Sequence, residues 1–175
     1  MKIVLFKGLI FVNLIKDFYI CWMQPRLYFD TSVFGGIYDE EFEEISTLLF
    51  EKVRVGQIIC VYSDLSETEL ENAPEKVKIF FAGLPKKYTL KVDVTEEAFE
   101  LAQKYLDEKV VGYTSADDCR HIATATINKV DYLVSWNFKH IVNVFRIRGY
   151  NSVNLRNGYP QLDIRSPKEI VSNED

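Results

Sequence analysis

The chain has 175 residues, 47% hydrophobic and 27% charged, with a formal net charge of −5. That size suits one compact core, and the excess of acids argues against a long non-specific basic groove, because affinity for phosphate backbones rests on lysine and arginine. No uninterrupted apolar run reaches bilayer length, so a soluble cytoplasmic protein is expected.

Residues 1–25, "MKIVLFKGLIFVNLIKDFYICWMQP", hold three of the 21 bases and one of the 26 acids, leaving 18 bases against 25 acids, a net of −7, in residues 26–175. Lys7, Asn13, Lys16 and Asp17 interrupt the apolar stretch and no small-residue cleavage site follows, so it does not read as a secretion signal. Two readings stay open: an upstream extension ahead of a start at Met23, or an amphipathic appendage. Residues 26–175 are expected to form the one folded domain.

The first element is a strand at Leu27–Phe29 that ends on Asp30 and is followed by Thr31 and Ser32 in "RLYFDTSVFGG". "YDEEFEEISTLLFEKVRVG" follows as a helix, with Phe42, Ile45, Leu48, Leu49 and Val53 as its stripe and Gly56 as its stop. "QIICVYS" is β-branched and apolar enough for a strand covered on both faces. "SETELENAPEKVKIFFAGL" then reads as one or two helices broken at Pro74, and "YTLKV" as a short strand. A helix from Thr95 to about Glu108 turns Phe99, Ala102, Tyr105 and Leu106 inward.

"SADDCRHIATATINK" is a further helix with Ser115 at its N-cap, and "VDYLVSWN" is strand and turn. The remainder is expected to be loop-rich, with a possible last strand and a terminal helix opened by Pro167. Strands alternating with helices, without repeat or linker, give an α/β fold: one domain with a central, mostly parallel sheet flanked by helices.

Cys21, Cys60 and Cys119 form no CxxC pair and His121 and His140 are the only histidines, so structural zinc and disulfides are not expected. Oxygen-bearing residues offer more. Asp30 and Asn137 follow strands, Asp118 lies in a helix's first turn, and Glu69 can reach the same sheet edge from the helix after the second strand. Each has an ordinary alternative: a turn former for Asp30 and Asn137, a partner of the helix dipole for Asp118, a solvated face for Glu69. Jointly they describe a carboxylate cluster that repels itself unless a hard divalent cation neutralises it, which points to Mg²⁺ or Mn²⁺.

In these residues the chain resembles the PIN-domain ribonucleases, in particular the VapC-like toxins of type II toxin–antitoxin systems, best over residues 26–145. "YFDTSVF" matches the family's opening strand and places the first acid at Asp30, with Thr31 or Ser32 as the supporting hydroxyl. "SDLSETEL" places the second at Glu69, with Glu67 as the fallback. "DCRHIATA" matches the helix headed Asp-x-x-His-Ile-Ala and selects Asp118 over Asp117. "SWN" stands where the family has an acid, so Asn137 is a departure.

The resemblance implies a metal-dependent endoribonuclease, with Asp30, Glu69 and Asp118 on Mg²⁺ or Mn²⁺ and Asn137 orienting a water or holding a weaker second position. It also implies an RNA substrate, a cognate antitoxin and a homodimer. His121 is expected to be packed or on the helix surface, since no histidine base is needed. Lys139 and His140 are candidate RNA contacts, while Arg146 and Arg148 are open between phosphate contacts and a solvated face. Given the acidic body, a folded RNA selected by shape is the expected target. The alternative is a catalytically weakened PIN-fold module that binds RNA or protein. An aspartyl phosphotransferase reading of "FDTS" ranks below both, because Ser32 occupies the place of its second aspartate.

Overall fold

The computed structural model describes residues 24–172. The expectations for residues 1–23, Cys21 included, lie outside the described residues.

Among the described residues, five strands form one sheet: β1 (Arg26–Phe29), β2 (Ile59–Ser63), β3 (Thr89–Val92), β4 (Tyr132–Val134) and β5 (Ile164–Arg165). Their order is β3-β2-β1-β4-β5, with every pairing parallel. Eight helices connect or follow them among the described residues: α1 (Thr31–Gly35), α2 (Glu43–Arg54), α3 (Asp64–Glu71), α4 (Glu75–Ala82), α5 (Glu96–Asp107), α6 (Ala116–Ile127), α7 (Val144–Arg156) and α8 (Pro167–Ser172).

The period of two along each strand divides these helices between two cores. Leu27 and Phe29 of β1, Cys60 of β2 and Val134 of β4 face α1 to α4 and α8. Tyr28, Val61, Leu133 and Ile164 face the opposite way, onto α5, α6 and α7. Both faces are therefore buried, which is why these strands read as continuous apolar runs.

This arrangement also fixes where a site can form. The chain leaves β1 through α1 and α2 on one face, and returns to β4 through α5 and α6 on the other. The strand order thus reverses between β1 and β4, and open α/β sheets bind ligands in the crevice beyond the carboxyl ends at such a point.

Local chemistry sets the helix starts. Ser63 caps α3 by a reciprocal capping box with Ser66, and the Thr95 hydroxyl accepts from the Ala98 N–H at the start of α5. Pro167 opens α8 behind Ser166 and Glu169, which bond reciprocally. Ser115 holds the N-cap position of α6, but its side chain makes no capping bond.

Three expectations need correction. Residues 144–156 are helical, not loop. Leu48 is 46% exposed while Ser46 and Phe50 are buried, which rotates the inward stripe of α2. Phe99 is 43% exposed under the Arg120 guanidinium, and Ala98 and Leu101 take the inward positions of α5. Among the described residues, Cys60 and Cys119 are buried free thiols, and no helix is long and apolar enough to cross a membrane.

Candidate functional site

Asp30 leaves β1 where its N–H still bonds the Val134 carbonyl of β4. Although it is the N-cap residue of α1, its carboxylate makes no capping bond, so the ordinary role of a turn-forming aspartate does not apply. Instead Oδ2 accepts from the hydroxyls of Ser32 at 2.6 Å and Ser135 at 2.7 Å. Oδ1 faces Nε2 of His121 at 3.8 Å.

Glu69 reaches this position from the second turn of α3. Its Oε2 accepts from the Thr31 hydroxyl and, at 3.0 Å, from Nε2 of His121. Thr31 and Ser32 therefore serve different acids, the first Glu69 and the second Asp30. Burial pushes the Glu69 carboxyl up, but the His121 hydrogen bond and charge and the Thr31 hydroxyl outweigh it and hold the group below its ordinary value. Glu67, the fallback, is half-buried and pairs instead with Lys91 at 2.5 Å.

Asp118 arrives from the first turn of α6. Its carboxyl is raised above the usual range, first by burial and then by the charge of Asp30, which marks the two as parts of one electrostatic site. Asp117 is exposed and pairs with Arg120 at 2.5 Å.

Asn137 is a brace. Its amide Nδ2 donates to Asp118 Oδ1 at 2.9 Å, its Oδ1 accepts from the His140 N–H at 3.0 Å, and its own N–H donates to Ser135 Oγ at 2.9 Å. An aspartate there would set one carboxylate against another; the amide replaces that repulsion with a charge-assisted hydrogen bond. Lys139 is exposed in the same turn, and His140 is half-buried with Nδ1 lacking a hydrogen-bond partner among the described residues.

His121 is 1% exposed and belongs to the site, which the sequence reading did not assign to it. Burial disfavours its charge, but the hydrogen bond to Glu69 and the charges of Asp30, Glu69 and Asp118 win, and its pKa is raised. Its signal lay in the spacing: three residues after Asp118 on a helix is the same face. Ser135 was also missed, and its only signal was adjacency to Trp136 and Asn137.

The donor chemistry fits a divalent cation. Ligand atoms of Asp30, Glu69 and His121 lie within 4.8 Å of one another. Two of these groups, the Asp30 and Glu69 carboxylates, are the hard oxygen donors that a divalent cation prefers, and the His121 nitrogen stands beside them. Asp118 is not part of that tight group and approaches it through Asp30. The result is a parallel α/β domain with a braced acidic site at its topological switch point.

No family model matches the chain, and no curated protein matches it. Solved structures similar to it include the VapBC2 complex from Rickettsia felis bound to a DNA fragment from its promoter. That similarity has a TM-score of 0.47 and 14% identity, and covers 81% of this chain and 98% of that one.

Proposed function

We propose that this chain is a metal-dependent endoribonuclease that hydrolyses RNA phosphodiester bonds, with residues 26–175 as a PIN-like domain. What supports the reading is the approach of Asp30 and Glu69, from two separate segments, beside His121, with Asp118 feeling the charge of Asp30 from a third. Mg²⁺ or Mn²⁺ would be held by Asp30 and Glu69, with Asp118 completing its surroundings. The chemistry a divalent ion supplies at such a site is neutralisation of the charge developing on phosphate and acidification of a water.

The protein's own part is to hold the acids ready. Ser32 and Ser135 lock one oxygen of Asp30 and leave the other facing His121. Thr31 and His121 hold Glu69, and Asn137 holds Asp118 together with the turn that carries Lys139 and His140. We place that turn against the RNA backbone, where Lys139 meets phosphate. The role as the toxin of a cytoplasmic toxin–antitoxin pair, with an antitoxin covering the pocket and a homodimeric state, belongs to the same proposal and follows from the motif resemblance.

One observation favours the second reading, a binding module without turnover: the Asn137 amide sits where a fourth acid is expected. Incubation of total RNA with the chain in Mg²⁺, Mn²⁺ or EDTA separates the two. The nuclease reading predicts discrete products that disappear in EDTA and in Asp30→Asn and Asp118→Ala. RNA retained intact by native chain and variants alike would favour the module, and products indifferent to both treatments would overturn the assignment.

A further inference from the structure

We infer that His121 is a positioning residue for Glu69, held in place by a buried hydrogen-bonded chain that runs from the N-cap of α3 through β1 to α6. The inference rests on the metal-site reading above and assigns a role that the acids alone do not explain.

The chain links five residues from four segments. Nε2 of His121 lies 3.0 Å from Glu69 Oε2, and a carboxylate can only accept, so Nε2 carries the proton and donates. The other ring nitrogen, Nδ1, lies 2.8 Å from the Tyr28 hydroxyl, which lies 2.7 Å from Ser63 Oγ. Ser63 Oγ in turn accepts from the Ser66 N–H at 3.3 Å, as the cap of α3. Tyr28, Ser63 and His121 are each at most 1% exposed, so water does not compete for these bonds.

Glu69 sits on the very helix that Ser63 caps. The chain therefore closes a loop: the cap fixes α3, Tyr28 fixes the imidazole, and the imidazole fixes the carboxylate that α3 carries. The Tyr28 and His121 rings also meet edge to face, with centroids 5.7 Å apart, which limits rotation of the imidazole. Tyr28 lies on β1 two residues before Asp30, which follows that strand directly, so one element sets both acids.

Because the Nε2 proton points at Glu69, that nitrogen is turned toward donation and away from ligation. Glu69 and Asp30 are then the ligands, and His121 acts through Glu69. Outer partners of this kind typically contribute about 10- to 100-fold to metal affinity, since they hold a ligand in its binding orientation before the ion arrives. A half-buried glutamate without them loses side-chain entropy on binding instead.

The test is calorimetric titration of Mn²⁺ into the full chain and its variants, with metal-free melting temperatures recorded alongside. His121→Leu is expected to weaken Mn²⁺ binding about 10- to 100-fold. Tyr28→Phe, which keeps the ring and removes the hydroxyl, is expected to weaken it less. His121→Gln keeps a planar donor and acceptor and is expected to recover most of the loss. In a double-mutant cycle His121→Leu adds little once Glu69 is Gln, because its target is gone.

Should His121→Leu fail to fold, the Gln and Tyr28→Phe variants decide the matter. Native-like Mn²⁺ affinity in Tyr28→Phe together with no recovery in His121→Gln overturns the inference. So do additive effects in the cycle, or a directly bound nitrogen in the electron-spin-echo spectrum of the Mn²⁺-loaded chain. Failure of the native chain to bind Mn²⁺ overturns both this inference and the metal-site reading. Tight native binding that Asp30→Asn abolishes, with His121→Leu unaffected, removes this inference alone.

Discussion

Replacing Asn137 by aspartate tests whether the amide is present to relieve carboxylate repulsion. The substitution is nearly isosteric and converts the 2.9 Å donor contact to Asp118 Oδ1 into a contact between two anions. Two full charges about 3 Å apart at an effective dielectric constant near 20 repel by roughly 5 kcal/mol. Solvent reaches this half-buried pair and partial protonation relieves it, which leaves a loss of roughly 2–3 kcal/mol in metal-free buffer. For a chain of this size that is a fall in melting temperature of roughly 4–12 °C.

A divalent cation binding between the acids stabilises the folded state by mass action, and more so where the negative charge is greater. Thermal unfolding of native chain and Asn137→Asp in EDTA and in saturating Mn²⁺ is therefore expected to show a deficit that shrinks below about 1 kcal/mol with the metal. Equal stability in EDTA, or a deficit that Mn²⁺ leaves unchanged, would rule out relief of carboxylate repulsion as the amide's role.

Three further outcomes follow from the same contacts. Ser135→Ala removes a donor to Asp30 and strands the Asn137 N–H, so calorimetry should find Mn²⁺ affinity down about tenfold, with unfolding free energy lower by about 1–3 kcal/mol. A methyl at Gly36 would lie 2.6 Å from Ser46 Oγ and 2.7 Å from Trp136 Nε1, whereas one at Gly35 meets nothing within 4 Å. Denaturant unfolding should therefore show Gly36→Ala losing about 1–3 kcal/mol and the helical Gly35→Ala losing none. Burial raises the Glu169 carboxyl, but the backbone and hydroxyl bonds from Ser166 and the charge of Arg165 outweigh it, so its folded pKa is lowered. Its contribution to stability is then present above its unfolded pKa of about 4.3 and is lost as pH falls through the lower folded value, so Glu169→Gln should flatten that acid limb of a melting-temperature profile.

How far the sequence went depended on whether a residue's role was local. Asp30 and Asp118 were legible because strand ends and helix starts have their own signatures, and a parallel sheet gathers both at one edge. Glu69 was legible from the motif alone, since helical spacing gives no reason to choose it over Glu67. His121 was read as packed, and packed it is; that its Nε2 faces Glu69 depends on the approach of α3 to α6, which no spacing along one helix encodes.

The helix at Val144–Arg156 was missed for a related reason. Gly149, Asn151 and Asn154 dilute its apolar stripe, yet Tyr150, Val153 and Asn154 form its buried face. Asn154 accepts from Tyr105 at 2.5 Å and donates to Thr126 at 3.3 Å, so a polar residue occupies a core position and hides the period. In Asn137, likewise, the identity was plain, but its bridging of Asp118 to the His140 backbone required the folded turn.

Under the nuclease reading the braced cluster directs water at a phosphodiester, and the end groups of the RNA products report whether it does. Attack by water in Mn²⁺ or Mg²⁺ leaves a phosphate on one new end and two unmodified hydroxyls on the ribose of the other; those ends are expected from the native chain and none from Asp30→Asn. Products ending in a cyclic phosphate, or the same products from Asp30→Asn, would contradict it.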